Sequence, residues 1–565
     1  MSIKEFYLQV RSEITNDLYG NLAGLKLTKP ERFNWVMEVF YEMNVKSYPD
    51  SNALIWRNSE IEKYYTFEKI YETANQFLNF LRKHGIEKGN RIYTQLPVVP
   101  ANWICSLAAI KGGLALIPAA TSLTAQDIAY RFQTIFPEVA ISDALNASKI
   151  ETAEKMLNRL IKVKIIVDEE REGWQHIDSI NKGDKHAEAA VTFSDDHLFY
   201  FFTSGTTGLP KIVTHTQFTY PVGHLTTASW VGMRHGDVHY NISAPGWAKF
   251  AWSSLFAPWN MGATIFANQV DKFDAKEQLA TIEKYGISTF CAPPTVLRMM
   301  VQEDLSKYNF KFRQCVAAGE PLNPEIIEKW KNGTGITIRD GYGQTESTCL
   351  SANVPGAEIR YGSMGKPTFL YDIVIADDDG VELPPLEEGT ICVKMSGEKP
   401  NGIFVDYLGE PERKAQVFKH QLYYTGDKAY KDEDGFIWFV GRDDDVIKAS
   451  DYRIGPFEVE SVLIEHASVV EAAVVASPHA LRGYAVKAFV ILIEGERPTH
   501  SLAEELFKYC EGNLAGYKIP RIIEFVETLP KTISGKIRRV ELRANEASGK
   551  MKSEKKELEF YHVKY

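Results

Sequence analysis

Cysteine is scarce in this 565-residue chain and never paired: six are scattered at positions 105, 291, 315, 349, 392 and 510, with no C-x-x-C and no histidine at zinc-ligand spacing. That excludes a disulfide scaffold and a structural zinc site, and leaves the thiols as small core hydrophobes in a reducing cytosol. An excess of positive charge is also missing. Sixty-four Lys and Arg against 74 Asp and Glu leave a formal charge of -10, which argues against nucleic acid as the main partner. Nor is there an apolar run able to span a membrane. The best window, WICSLAAIKGGLALIPAA from Trp103, is broken by Lys111 and a glycine pair, and fits a buried helix followed by a strand. The start, MSIKEFYLQVRSE, is charged where a signal peptide needs apolar residues, so the expected location is cytoplasmic. No internal repeat or low-complexity tract is visible.

What is present is the composition of an ordinary soluble enzyme, 44% apolar and 24% charged, in a chain too long for one core. TFEKIYETANQFLNFLRKHG predicts a helix capped by Thr66, with Ile70, Ala74, Phe77, Leu78 and Leu81 on one face and Gly85 as the stop. Strands at IYTQLP, IVDEE, ATIFA, STFCAPP and QCVAAGEP alternate with such helices, the pattern of doubly wound α/β subdomains. From 370 to 440 short strands and turns suggest a small β-barrel-like subdomain. After GRDDD a separate module of about 120 residues mixes strands (SVVEAAVVASPH, YAVKAFVILIEG) with a helix (SLAEELFKYCEGNLAGY), an α+β domain. The boundary is placed at Asp444, giving domains 1–443 and 444–565. The charged stretch NEASGKMKSEKKELEF reads as a solvated face.

One loop stands out. TSGTTGLPK, 203 to 211, follows the apolar run HLFYFF and leaves a sheet edge, a place where α/β enzymes hold ligands. Its glycines stand two residues apart, which rules out a P-loop. What remains is a set of hydroxyl and amide donors (Thr203, Ser204, Thr206, Thr207), two glycines that allow close backbone approach (Gly205, Gly208), and Lys211. A flexible connector is the plain alternative.

With GYGQTE (341–346), YTGD (424–427), GRDDDVIKASDYRIGPFEVE (441–460) and LPKTISGK (529–536) following in order, the chain resembles the adenylate-forming superfamily of acyl-CoA synthetases, peptide-synthetase adenylation domains and luciferases, from about Tyr65 to Arg539. The resemblance implies an acid joined to the α-phosphate of ATP, with pyrophosphate released and Mg²⁺ present, and then transfer of the acyl group to CoA. It implies that the 203–211 loop clamps the β- and γ-phosphates, that Thr345 bonds the α-phosphate and that Glu346 binds Mg²⁺. Gly319, Glu320 and Pro321, with Asp340, Gly341, Tyr342, Gly343 and Gln344, would form the adenine slot. Asp427 and Arg442 would hold the ribose. Lys536 would be the adenylation lysine, on a mobile carboxy-terminal domain that turns about Asp444. Ser450, Asp451 and Tyr452 would lie by the CoA tunnel, Asp451 standing where relatives have glycine. Arg482 is a candidate CoA phosphate contact, an exposed structural arginine being the alternative.

Within the superfamily, PGWAKFAWSSL (245–255) carries Lys249 where an amino-acid-activating domain has an acid, and no carrier-domain motif follows Lys536. The form of SAPGW and DGYGQTE looks most like medium-chain acyl-CoA synthetases. The implied acyl pocket gathers Trp230, Lys249, Trp252, Cys291 and Gly343. Its tryptophans should exclude long chains and admit short to medium, including branched, acids, unless they are core packing alone. An aromatic-acid CoA ligase is the alternative, and a non-catalytic nucleotide sensor a distant one. Assembly into a homo-oligomer is left open.

Overall fold

The computed structural model describes residues 1–562 except 181, 204–209, 396, 398, 450–451, 480–482, 532–535 and 552–555, with the backbone alone of 448, 452 and 483. Contacts divide the described chain into two units, 1–372 with 395–416, and 373–394 with 417 onward.

The first unit holds two sheets. One runs Asp406–Tyr407, Lys211–Thr216, His197–Thr203, Ala115–Pro118, Arg91–Gln95, Val139–Ser142, Val163–Ile166 and Gln175–His176. Its first two joins are antiparallel and the others parallel. The strand His197–Thr203 is therefore interior, as its unbroken apolar run predicts. Five consecutive buried residues within it reflect cover on both faces. The 203–211 segment joins two antiparallel neighbours, with Thr203 opposite Lys211.

The other sheet orders Lys366–Pro367, Cys349–Ala352, Ile338–Gly343, Gln314–Ala317, Thr289–Ala292, Val238–Asn241, Thr264–Asn268, Asn52–Arg57 and Glu62–Thr66. The six from Ile338–Gly343 to Asn52–Arg57 are parallel. From Val238–Asn241 the chain first adds Thr264–Asn268 on one side, then crosses to place Thr289–Ala292 on the other. That reversal is a topological switch point, and the crevice at its carboxyl ends is where open α/β sheets take ligands.

Local signals act as the sequence predicts. Thr66 accepts from the Lys69 amide and starts the helix Phe67–Lys83, whose Ile70, Ala74, Phe77, Leu78 and Leu81 are buried. Gly85, at φ +67°, lets the chain leave it. The apolar window from Trp103 is the helix Ala101–Gly112 and the strand Ala115–Pro118, and no described helix is long and apolar enough to cross a membrane.

In the second unit, Ile373–Ala376, Gly389–Lys394, Leu422–Lys431 and Ile437–Arg442 form a small antiparallel sheet with Phe418–Lys419. Val469–His479, Gly483–Leu492, Ile522–Phe525 and Glu559–Tyr561 form another. Grouping by contact thus joins the small β subdomain to the carboxy-terminal residues; a pivot at Asp444 is a different property, a hinge in the chain.

The charged tail is not a uniformly solvated face. Its helix Arg539–Met551 carries Glu546, 1% exposed, which accepts from Ser477 Oγ (2.8 Å) and Lys487 Nζ (2.6 Å). Lys487 has no exposed surface and also lies 2.6 Å from Glu524 and 3.5 Å from Glu559. Lys556 and Lys550 reach the same carboxylates from outside. Burial raises the carboxyl pKa values of Glu546 and Glu559, but the lysines outweigh it and hold both below the ordinary 4.5. Removing one partner of a buried pair strands the others, so Lys487→Met is expected to destabilise by about 3 kcal/mol at pH 7. Because the folded-state values are depressed, that contribution is present above the unfolded pKa and is lost as pH falls through the folded values. Urea unfolding at pH 7 and below pH 4 measures it: the gap between the two proteins should narrow in acid, and equal stability at pH 7 would contradict the assignment.

Candidate active site

The two sheets of the first unit meet at two residues that follow Ile338–Gly343. His215, fully buried on Lys211–Thr216, lies with Nε2 2.6 Å from the Thr345 carbonyl. Burial drives its imidazole pKa down to about 4 against the opposing pull of that carbonyl, so the ring is neutral and donates from Nε2. Lys211 Nζ is 2.5 Å from Glu346 Oε1. Tyr407 Oη lies 3.0 Å from the same oxygen and 3.1 Å from Lys211, and the Phe404 amide donates to the Glu346 carbonyl (2.8 Å). Glu346 is 8% exposed; burial raises its pKa, yet the Lys211 charge and these hydrogen bonds bring it below the usual carboxylate range. It is a buried, ionised carboxylate beside a cation.

The parallel strands bring the next residues together. Asp340, Gly341, Tyr342 and Gly343 end the strand Ile338–Gly343, and Gly319, Glu320 and Pro321 follow its neighbour Gln314–Ala317. Gly319 turns the chain at φ +112°, and Glu320 lies 3.6 Å from Arg298. Asp340 is 6% exposed and accepts from the Gly341 amide (2.8 Å) and, at 3.4 Å, from Leu322. Burial raises its carboxyl pKa to about 7, those two amides working against it. Tyr342, Gln344 and Thr345 are half-buried. The Thr203 hydroxyl is buried with no partner among the described residues. Ser204, Gly205, Thr206, Thr207 and Gly208 lie outside the described residues.

Of the residues expected around the acyl group, Cys291 lies in a row across the sheet. Asn241, Cys291, Val316 and Arg339 are register partners across four strands, and Gly341 lies two residues on from Arg339. Over this row pack the helix Leu225–Val231, carrying Trp230, and a π-helical turn, Trp252–Phe256. Such turns recur at functional sites because they displace side chains from the α-helical spacing. The Trp230 and Trp252 rings are 6.0 Å apart. Lys249, half-buried on Ala248–Ala251, donates to the Ala318 carbonyl (3.2 Å) and is close enough to oppose the burial-raised pKa of the Cys291 thiol. Gly343 admits no side chain, since a Cβ there would sit 2.4 Å from the Thr348 carbonyl oxygen. Sequence reasoning missed Asn241, which donates to Ser254 Oγ (3.0 Å) and whose Oδ1 is buried with no partner among the described residues. It missed His215 and Tyr407 too. Nothing in their local sequence signals a role; each matters through a residue more than a hundred or some sixty positions away.

In the second unit, Asp427 is 7% exposed and pairs in register with Arg442, which is exposed and lies 3.4 Å from Asp444. Asp444 and Lys536 are exposed. Tyr452 begins the strand Tyr452–Ile454, while Ser450, Asp451 and Arg482 lie outside the described residues. Among the described residues no group of three or more His, Cys, Asp or Glu is placed to hold a metal ion.

The model of the AMP-binding enzyme family matches residues 41–398, and that of the AMP-binding enzyme C-terminal domain matches 458–536. The chain belongs to the AMP-binding enzyme family. It is 48% identical over 528 residues to 4-hydroxybutyrate–CoA ligase 1 of Metallosphaera sedula, covering 93% of this chain and 92% of that one. It is 40% identical to the human mitochondrial acyl-coenzyme A synthetase ACSM3, over 92% and 91% of the two chains. A crystal structure of the anthranilate CoA ligase AuaEII with anthranoyl-AMP superposes with a TM-score of 0.83 at 28% identity, covering 92% of this chain and 99% of that one. Within the family, this protein is an acyl-CoA synthetase: an ATP-using, AMP-forming ligase of a carboxylic acid with CoA.

Gly341 lets the buried Trp230 ring pack against its strand, because a Cβ there would meet Trp230 Cε2 at 2.5 Å. Gly341→Ala should therefore cost about 1–3 kcal/mol by overpacking. The loss should be recovered in part by adding Trp230→Leu, a coupling that a double-mutant cycle of melting curves would detect. Strict additivity would show that the two residues do not press on one another.

Proposed function

We propose that the acid is short to medium in length, branched acids included, and that the roles divide between the two units as follows. The observation that carries this is that the sheet holding the row Asn241–Cys291–Val316, over which two tryptophans pack, also leads into Thr345 and Glu346, which meet Lys211 and His215 of the other sheet. One end of that region is ionic and suits phosphates. The other is narrow and mostly apolar and suits a small acyl group.

In adenylation the acid's carboxylate oxygen attacks the α-phosphorus and pyrophosphate leaves; CoA thiolate then attacks the acyl carbon and AMP leaves. Lys211 and the 203–208 donors would hold the β- and γ-phosphates, and Thr345 the α-phosphate, where developing charge rewards fixed donors. Gly319–Pro321 and Asp340–Gln344 would receive adenine, Tyr342 stacking on the base. Asp427 and Arg442 would hold the ribose. Glu346 would give one carboxylate oxygen to Mg²⁺, which when bound screens the phosphate charge; a single buried, ionised carboxylate fits an ion whose other ligands are phosphate oxygens and water. Lys536 would stabilise the adenylation transition state, and Ser450, Asp451, Tyr452 and Arg482 would meet CoA after the 444–565 domain turns about Asp444. Six free, buried cysteines suit a reducing cytoplasm.

A second reading concerns the polar edge of the pocket. Metallosphaera sedula's ligase is named for 4-hydroxybutyrate, a four-carbon acid with a terminal hydroxyl. Asn241 Oδ1, with no partner among the described residues, could accept from such a hydroxyl. This supports including ω-hydroxy acids beside the alkyl and aromatic ones in any substrate panel.

If Lys536 serves adenylation alone, Lys536→Ala should lose pyrophosphate release from acid and ATP by about 10²-fold or more, while thioester formation from supplied acyl-AMP survives. Equal loss of both half-reactions would remove the assignment. For the acyl end, kcat/KM across straight, branched, ω-hydroxy and aromatic acids should fall steeply with length, and Trp252→Ala should extend the accepted length, each methylene being worth about 1–3 kcal/mol. A native preference for palmitate-length acids, or an unchanged profile in the variant, would overturn the pocket.

A further inference from the structure

Lys211 and Glu346 form a buried pair 2.5 Å apart, yet the proposed function uses them on different parts of one ligand: the ammonium on phosphate oxygens, the carboxylate on the cation that accompanies them. A pair left to itself would satisfy each charge with the other. A third group stands against both. Tyr407 Oη donates to Glu346 Oε1 at 3.0 Å and accepts from Lys211 Nζ at 3.1 Å. The same ammonium lies 4.5 Å from the centre of the Tyr407 ring, so the ring and the hydroxyl both act on it.

The fold holds this tyrosine firmly. Asp406–Tyr407 adds to the sheet against Lys211–Thr216, with Tyr407 opposite Val213. The Val405 amide donates to Thr214 (2.9 Å) and the Leu408 amide to Ile212 (3.0 Å). Tyr407 is 3% exposed and packs on Phe404, their ring centres 4.5 Å apart. The adjacent Phe404 amide fixes the Glu346 backbone. One short segment, 404–408, therefore grips Glu346 at its main chain and its side chain, and Lys211 at its ammonium. A phenol is protonated at neutral pH, so the hydroxyl keeps its proton and its direction of donation.

We propose that Tyr407 is a positioning residue for the phosphate end of the site, holding the Glu346 carboxylate and the Lys211 ammonium in the arrangement that a Mg²⁺-bound triphosphate takes over. A hydroxyl suits this place because it donates to the anion and accepts from the cation at once. Phenylalanine could supply only the ring. The inference rests on the reading of Glu346 as the carboxylate that meets Mg²⁺, and the test separates the two.

Calorimetric titration of ATP into the full chain, without carboxylic acid so that no turnover occurs, gives Kd over a series of Mg²⁺ concentrations for wild type, Tyr407→Phe and Glu346→Gln. Thermal melts of each protein run alongside. Glu346→Gln should weaken the Mg²⁺-dependent part of ATP binding. Tyr407→Phe, which keeps the ring and the strand, should melt within a few degrees of wild type, yet raise the Kd for Mg-ATP about tenfold, the scale of a hydrogen bond to a charged group. It should also move the Mg²⁺ midpoint upward. If Tyr407→Phe melts lower while Kd and the midpoint stay within about twofold, the hydroxyl is structural and the proposal fails with the Glu346 reading intact. If Glu346→Gln leaves the Mg²⁺ dependence unchanged, both fall.

Discussion

The phosphate end of the molecule depends on an ion pair placed where two sheets meet. Lys211 belongs to one sheet and Glu346 to a segment leaving the other, and they are 2.5 Å apart with Glu346 almost wholly buried. Buried pairs are poor sources of stability, because desolvation offsets most of their attraction. Their value here is positional. A cation and an anion that can satisfy one another inside the protein tolerate burial together, and each stays ionised. A site that must accept a polyanion together with a divalent cation needs both signs within a few ångströms, which neither sheet supplies alone.

The proposed acyl end rests on a different constraint, the limited space over the parallel strands that lead to Glu346. Val238–Asn241 and Thr289–Ala292 bring Asn241 and Cys291 side by side, and the row continues to Val316. Trp230 can lie over that row only because position 341 has no side chain. Arg339, buried beneath, donates to the Asn353 carbonyl (2.7 Å), to the Val231 carbonyl (3.2 Å) and to Gln314 Oε1 (2.9 Å). The end of the Trp230 helix is thus tied to the strand that also carries the Asp340–Gly343 segment. In the proposed reading nucleotide and acyl group would therefore depend on one piece of backbone, since a shift of the Trp230 helix cannot leave the Ile338–Gly343 strand end untouched.

This explains which features were legible in the sequence. The glycines of Asp340–Glu346 and of the 317–321 turn mark real local constraints, Gly319 at φ +112° and Gly341 and Gly343 against close neighbours, whereas the ligand roles of these segments came from the resemblance alone. The helix capped by Thr66 and the buried helix from Trp103 were readable from local constraints too. His215, Asn241 and Tyr407 were not, because a histidine or tyrosine in an apolar strand is indistinguishable from core until the partner strand is known. The charged tail misled in the opposite direction. Its composition suits solvent, but Glu546 is enclosed by Ser477 and Lys487, which lie on two other strands. Charge patterning reports a helix's average face, and a single inward carboxylate with a distant lysine leaves no periodic trace.

The proposed pivot, Asp444, stands between two paired carboxylates. Asp443 lies 3.4 Å from Lys428 of the small sheet, while Asp445 pairs with Arg543 and stands 3.9 Å from Arg539, both on the helix Arg539–Met551. Between two anchored carboxylates, Asp444 is exposed and meets Arg442, its near neighbour in sequence, at 3.4 Å. Rotation about its backbone would leave the anchor on each side intact, whereas rotation one residue earlier or later would strain an ion pair. In the proposed reading Asp444 is the residue that absorbs the backbone change, flanked by one carboxylate held to the small sheet and another held to the helix Arg539–Met551. The two kinds of group in the proposed reaction then fall to different mechanical settings. In the proposed reaction Lys211, Glu346 and Tyr407, held together where the two sheets meet, would act throughout, whereas Lys536, exposed and beyond Asp444 in the chain, would serve one half-reaction only.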